Sequence, residues 1–235
     1  MSDAFSTPIR KGQPRAAYAE AKFKFPDEPP APPSSVAAVV LAAGRGSRFG
    51  AERPKPLARL GPRSLLAHAV GAAAAGGLRP VVVVVGYGAE EVAAAAGPMV
   101  RLVENPDWEE GLSTSLRAGL AALSADEGVV AAAVALADQP RIGPDAYRRV
   151  TAAQREGAGL VVATYLGVRG HPVVIGREHW SEAMSLSGDE GARSLLEKYD
   201  VVEVPCDDTG SAADVDTQED LAALADPFGT RAANP

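Results

Sequence analysis

From residue 36 the chain alternates short apolar runs with segments of helical period. Residues 36–42 are unbroken apolar and rich in β-branched side chains, which predicts a strand buried on both faces. Ser64 can cap a helix that Gly76 and Gly77 end. Pro80 then opens five consecutive valines, 81–85, a run that suits a parallel strand covered on both sides. Gly86-Tyr87-Gly88 ends that strand, and a short helix is expected over 89–96. A strand is predicted at 99–103, and Ser113 or Thr114 is placed to cap a helix running to Leu123. Residues 129–137 form another buried run that stops at Asp138. Pro144 opens a helix to about Glu156, and 159–164 is a further strand.

Strand, helix, strand repeated in this way predicts an α/β fold: a single three-layer domain with a mainly parallel twisted sheet, Rossmann-like in build. Right-handed crossovers bring the loops after successive strands to one edge of the sheet. Those loops begin at Gly44, Gly86, Glu104-Asn105 and Asp138. The domain is expected over 36–226. Residues 1–35 hold seven of the 19 prolines in a mixed-charge background and predict a flexible Pro-rich tail, with 227–235 a short C-terminal tail. The functional alternative for 1–35 is an arm that packs on a partner or caps the site.

Composition narrows the class. Apolar residues make up 46% and charged residues 23%, a soluble globular balance. A net charge of −7 argues against general nucleic-acid affinity. No apolar run reaches the roughly 18 residues of a spanning helix, and residues 1–5 carry no signal pattern. The single Cys206 excludes an internal disulfide framework, and His68, His171 and His179 are too scattered for a zinc centre. The expectation is a cytoplasmic protein with no nucleic-acid or membrane partner.

The first strand breaks into Leu41-Ala42-Ala43-Gly44-Arg45-Gly46-Ser47-Arg48-Phe49-Gly50, followed by Pro54-Lys55-Pro56-Leu57. A backbone so poor in side chains can approach an anion closely and turn its N–H groups toward phosphate. A Walker loop would need a Gly-Lys-Ser/Thr ending, which is missing. The three glycines are one residue too widely spaced for a dinucleotide fingerprint, and no acid ends the second strand. A nucleotidyltransferase loop remains, against a plain glycine-rich turn. Lysine usage favours the former. The chain has 18 arginines but only five lysines, of which Lys55 and Lys198 alone lie beyond the tail. A compact ammonium suits a transferring phosphoryl group better than a planar fork does.

Two acidic stretches could hold a hard cation. Asp138 sits at the mouth of a buried strand, although an aspartate before proline is also a common turn residue. Asp214 and Asp216 precede Thr217, Glu219 and Asp220, where some of the acids serve a helix start. Asn105, Trp108, Ser113, Thr114, Ser115 and Arg117 cluster around another predicted helix start, which attracts anions. Gly170-His171-Pro172 and Gly188-Asp189-Glu190-Gly191-Ala192-Arg193 are the remaining candidate stretches. Asp189 is placed there to cap a helix and Arg193 to reach an anion, with a solvated helix position as the alternative for Arg193.

Leu41-Ala42-Ala43-Gly44-x-Gly-x-Arg48-Phe49-Gly50, Lys55-x-Leu57, Asp138-Gln139-Pro140, the Asn105 to Ser115 pattern and Gly170-His171-Pro172 together resemble the nucleotidyltransferases of molybdenum cofactor biosynthesis, the cytidylyltransferases above all. The resemblance spans about residues 36–225 and implies the nucleotide-diphosphosugar transferase fold. It implies Mg²⁺ held by Asp138 and Asp216, with Asp214 the alternative, and catalytic roles for Arg48 and Lys55. Leu41, Ala42, Ala43, Gly44, Gly46, Gly86, Asn105, Ser113 and Ser115 would line the nucleotide. Arg117, His171, Asp189 and Arg193 would face the acceptor. The implied reaction moves CMP from CTP to a molybdopterin-type acceptor, whose product passes to a molybdoenzyme or its maturation chaperone. The related guanylyltransferases show Leu-Ala-Gly-Gly, so the Ala43 methyl would crowd a purine. Arg53-Pro54-Lys55-Pro56-Leu57 also resembles sugar-phosphate nucleotidyltransferases, leaving a sugar phosphate as the alternative acceptor. A non-catalytic nucleotide- or cofactor-delivery module is the reading from another class.

Overall fold

The structure is a computed structural model, and it describes residues 34–50 and 52–225. In chain order its strands are β1 (Ser35–Ala42), β2 (Arg59–Leu60), β3 (Arg63–Ser64), β4 (Val81–Val85), β5 (Arg101–Glu104), β6 (Val129–Leu136), β7 (Leu160–Tyr165), β8 (Val168–Gly176) and β9 (Val202–Pro205). Its helices are α1 (Leu65–Ala75), α2 (Ala89–Ala96), α3 (Leu112–Leu123), α4 (Pro144–Arg155), α5 (Trp180–Ala183), α6 (Arg193–Lys198) and α7 (Gln218–Ala225). Seven strands form one sheet in the order β5-β4-β1-β6-β8-β7-β9, and β2 and β3 pair separately.

The polar and apolar pattern explains the layers. Successive side chains of a strand point to opposite faces. Val36, Ala38 and Val40 of β1 join a cluster with Leu66 and Ala69 of α1 and Tyr147 and Val150 of α4. Ala37, Val39 and Leu41 of the same strand join the opposite cluster, with Leu116 and Leu120 of α3, Trp180 of α5 and Leu195 of α6. Both faces of β1 are therefore covered, which is why every one of its residues is buried. The five valines of β4 are buried for the same reason.

Pairs β1–β4, β1–β6 and β4–β5 are parallel, so the chain leaves these strands at one edge. The predicted strands and long helices lie within a few residues of their expected bounds. Ser64 caps α1, accepting a hydrogen bond from the Ala67 N–H at 3.1 Å. Three differences have physical causes. The first strand begins at Ser35 rather than 36, because the Ser35 N–H pairs with the Gly128 carbonyl. Strand β5 begins at Arg101 rather than 99, because Gly97 and Pro98 lead into a turn that leaves Met99 79% exposed. Strand β8 runs antiparallel between β6 and β7, a reversal that the prediction of a mainly parallel sheet did not locate. Its residues 173–176 are buried like those of a parallel strand, so composition alone does not reveal direction. Of the expected tail over 1–35, residues 1–33 lie outside the described residues and Ser35 belongs to β1; the expected tail at 227–235 also lies outside them.

Candidate active site

Four chain segments meet at the edge where β1, β4 and β6 end. Lys55 enters from a 3₁₀ turn, Lys55–Leu57, and is only 8% exposed. Its Nζ lies 2.6 Å from Asp138 Oδ2 and 3.1 Å from Asp216 Oδ1. Arg48, largely exposed, places Nη2 3.1 Å from Asp216 Oδ2. Asp138 follows β6. Asp216 is carried beside it by the Val215 N–H, which donates to the Asp138 carbonyl at 2.9 Å. Val215 is buried with Phe49, Leu60 and Leu65, so a small apolar cluster fixes both the glycine loop and the acidic segment. Burial alone would lower the Lys55 pKa, but the carboxylates of Asp138 and Asp216 outweigh it and raise the pKa above its ordinary value. Asp138 Oδ1 is buried and has no hydrogen-bond partner among the described residues.

The glycine loop is shaped around that lysine. Gly46 has φ +63°, and a Cβ there would lie 2.9 Å from Lys55 Cβ and 3.0 Å from its Cδ. The position therefore excludes a side chain twice, by backbone conformation and by the Lys55 stem. Leu41, Ala42 and Ala43 are buried where β1 runs into the loop. The Ala43 carbonyl accepts from the Tyr87 N–H at 2.9 Å. A Cβ on Gly86 would fall 2.8 Å from both that carbonyl and Trp108, so the Gly86 loop closes on the end of β1. Tyr87 meets Trp108 edge-on, and the Arg45 guanidinium lies 5.5 Å from the Tyr87 ring centre. Of this aromatic wall, Trp108 is among the candidates in the sequence and Tyr87 is not. Its signal was a tyrosine between two glycines after a buried strand.

The two acids near residue 215 are sorted by geometry. Asp216 shares Lys55 with Asp138. Asp214 instead accepts from Gln139 Nε2 at 2.9 Å. Burial raises the Asp214 pKa, with Asp138 and Asp216 adding to the rise while the Gln139 hydrogen bond opposes it. Asp220 is the capping acid. It accepts from the Asp216 and Thr217 N–H groups, and its own N–H donates to Thr217 Oγ1.

Several expected ligand-facing groups are engaged elsewhere. Asn105 is fully buried, and both its N–H donors go to Thr114 Oγ1 and Ser115 Oγ at 2.9 Å. Its Oδ1 accepts from the Asp107 N–H. Asn105 and Ser115 thus brace the connection from β5 to α3. Neither Ser113 nor Thr114 caps α3, since both lie inside the helix. The Leu112 N–H donates to Asp189 Oδ1 at 3.2 Å and the Ser113 N–H to the Gly188 carbonyl at 3.0 Å. Asp189 therefore caps α3 across the fold rather than α6, and it occupies the helix start expected to attract an anion. Ser113 Oγ is buried and unpartnered among the described residues. Arg117 donates to the Met184 and Leu186 carbonyls at 2.8 and 2.9 Å, so its guanidinium anchors the chain after α5 instead of facing an acceptor.

A cleft of about 1160 Å³ opens beside the acids, lined in part by Gln139, Tyr165, Arg169, His171, Arg193 and Asp214. His171 is half-buried. Burial pushes its pKa down to about 4, and the Asp138 charge only partly offsets this, so the imidazole is neutral near pH 7. Tyr165 Oη donates to the His171 carbonyl at 3.0 Å. Arg193 lies at the rim and is largely exposed, with Glu197 2.8 Å away on the next helical turn. Arg169 is likewise paired, at 2.7 Å from Glu203. Of the residues expected to face the acceptor, the structure brings His171 and Arg193 to the cleft and leaves Arg117 and Asp189 outside its lining.

Comparison with known proteins places this geometry in a family. The profile of the MobA-like NTP transferase domain matches residues 38–204. The chain is 35% identical over 197 residues to nicotine blue oxidoreductase of Paenarthrobacter nicotinovorans, covering 79% of this chain and 94% of that protein. Rv0371c from Mycobacterium tuberculosis H37Rv superposes with a TM-score of 0.73 at 30% identity, covering 82% of this chain and 98% of that one. A structure of Rv0371c in complex with manganese gives a TM-score of 0.70 at 28% identity, with the same coverage. No helix among the described residues is long and apolar enough to cross a membrane. The chain belongs to the MobA-like NTP transferase family.

Proposed function

We propose that the chain moves CMP from CTP to the terminal phosphate of a molybdopterin-type acceptor and releases pyrophosphate. The observation that carries this reading is Lys55, nearly buried and 2.6 and 3.1 Å from two carboxylates at the mouth of the glycine loop. An acceptor phosphate oxygen attacks the α-phosphorus in line. The new P–O bond forms as the bond to the leaving pyrophosphate breaks. Lys55 and Arg48 neutralise charge on the triphosphate, and the fold's contribution is positioning and electrostatic stabilisation. The segments Leu41–Gly44, Gly46 and Gly86 form the nucleotide wall, with Tyr87 and Trp108 behind it. His171, neutral and at the cleft, and Arg193 at its rim face the acceptor.

Asp138 and Asp216 suit Mg²⁺. Both offer hard oxygen ligands, and Asp138 Oδ1 is a buried acceptor with no partner among the described residues. No group of three or more His, Cys, Asp or Glu side chains converges among the described residues. That fits a cation held by one or two carboxylates and completed by substrate phosphates. Such an ion neutralises triphosphate charge in nucleotidyl transfer. The manganese complex of Rv0371c supports a divalent site in this fold.

Pyrophosphate release from CTP, GTP, ATP and UTP, with and without molybdopterin or sugar-phosphate acceptors, tests the reading. CTP with the molybdopterin acceptor should be fastest, because the Ala43 methyl narrows the wall. A preference for GTP would remove the role given to Ala43, and no release with any pair would remove the transferase reading. The 35% identity to an oxidoreductase supports a second reading, a redox enzyme on the same fold. Turnover of nicotine blue without pyrophosphate release would favour it.

A further inference from the structure

The gap between Asp138 and Asp216 already holds a cation. Lys55, Asp138 and Asp216 come from three separate segments, yet each carboxylate turns one oxygen to the same Nζ, at 2.6 and 3.1 Å. The second oxygen of Asp216 meets Arg48, and the second oxygen of Asp138 is buried with no hydrogen-bond partner among the described residues. Two carboxylates facing one gap repel unless a positive charge lies between them. The proposed reaction asks for that ammonium on the triphosphate and for those oxygens on a divalent ion. One lysine cannot do both at once.

We propose that Lys55 and the divalent cation alternate on the Asp138–Asp216 pair: Lys55 holds the acids until triphosphate and metal arrive together, and then passes to the phosphates. This rests on the assignment of the two acids as metal ligands. The exchange needs little motion. The Lys55 Cβ and Cδ are seated against Gly46, where a side chain would collide with them at 2.9 and 3.0 Å. Only the end of the side chain has to swing. The consequence is coupled binding: Mn²⁺ alone competes with Lys55, whereas Mn²⁺ with a triphosphate does not. Such coupling is reciprocal between the two ligands.

Mn²⁺ titration of the full-length chain, followed by the electron paramagnetic resonance of the free ion, tests this without turnover. Without nucleotide, Lys55→Met should bind Mn²⁺ at least about tenfold more tightly than the wild type, within the usual span of coupling between sites. Lys55→Arg, which keeps the charge, should stay near the wild type. Adding the α,β-methylene analogue of CTP should tighten Mn²⁺ binding to the wild type far more than to Lys55→Met, after correction for ion bound by the analogue alone. Lys55→Gln repeats the comparison if Lys55→Met does not fold, and thermal unfolding of each variant reports on that. Equal or weaker Mn²⁺ binding by the uncharged variants would overturn the exchange, as would a wild-type affinity indifferent to the analogue. Equal affinities alongside normal pyrophosphate release would leave the transferase reading standing. No Mn²⁺ binding and no release would remove both.

Discussion

At the scale of the residue, Lys55 ties the candidate site together. Its scarcity made it visible in the sequence, but its partners lie 83 and 161 positions away. Asp138→Asn keeps the shape and removes a charge. It should lower pyrophosphate release on the order of 100-fold or more, with the circular dichroism spectrum unchanged. Near-normal release would take Asp138 out of the metal site. Gly46→Ala tests the fit of loop to lysine. A methyl at φ +63°, 2.9 Å from Lys55 Cβ, should cost about 1–2 kcal/mol in urea unfolding and should also slow turnover by shifting the ammonium. His171 offers a pH test. Its pKa in the fold is about 4 against an ordinary 6.5. Between those values the unfolded chain binds more protons, so stability is full above pH 6.5 and is lost as pH falls toward 4. Urea midpoints across that range should fall less steeply for His171→Gln than for the wild type.

At the scale of the element, helix α3 shows how a legible segment can conceal its role. Its hydroxyls and arginine read as an anion site, yet the fold uses them as braces. Asn105 ties the incoming chain to Thr114 and Ser115, Asp189 caps the first turn, and Arg117 holds the carbonyls after α5. Arg117→Met should therefore destabilise the chain by about 1.5–3 kcal/mol, the range for a hydrogen bond that involves a charged group. KM for the acceptor should be unchanged at temperatures where the variant is folded. A rise in KM with unaltered stability would return Arg117 to the acceptor side. The reversal of β8 was hidden for a related reason. Its residues 173–176 are apolar because both faces of the sheet are covered, and that holds for either strand direction.

At the scale of the molecule, the site exists only once the sheet is assembled. The ends of β1, β4 and β6 share an edge because their pairings are parallel, and the segment before α7 crosses back to reach Asp138. The apolar cluster of Phe49, Leu60, Leu65 and Val215 joins the glycine loop to that returning segment. Destabilising this cluster should therefore disturb Lys55, Asp138 and Asp216 together.

The sequence by itself determined the α/β layering, the edge on which the loops gather, and the prominence of Gly46, Lys55 and Asp138. These follow from local signals: runs of buried valine, glycines at strand ends, and the choice of lysine in a chain that otherwise uses arginine. Only the tertiary structure decided that Asp216 rather than Asp214 shares Lys55, and that Asp189 caps α3. It alone showed that Asn105 and Arg117 spend their donors inside the fold. Those outcomes depend on where side chains point across contacts distant in sequence. A carboxylate two residues along a loop can face either the lysine or the cleft, and packing alone selects between them.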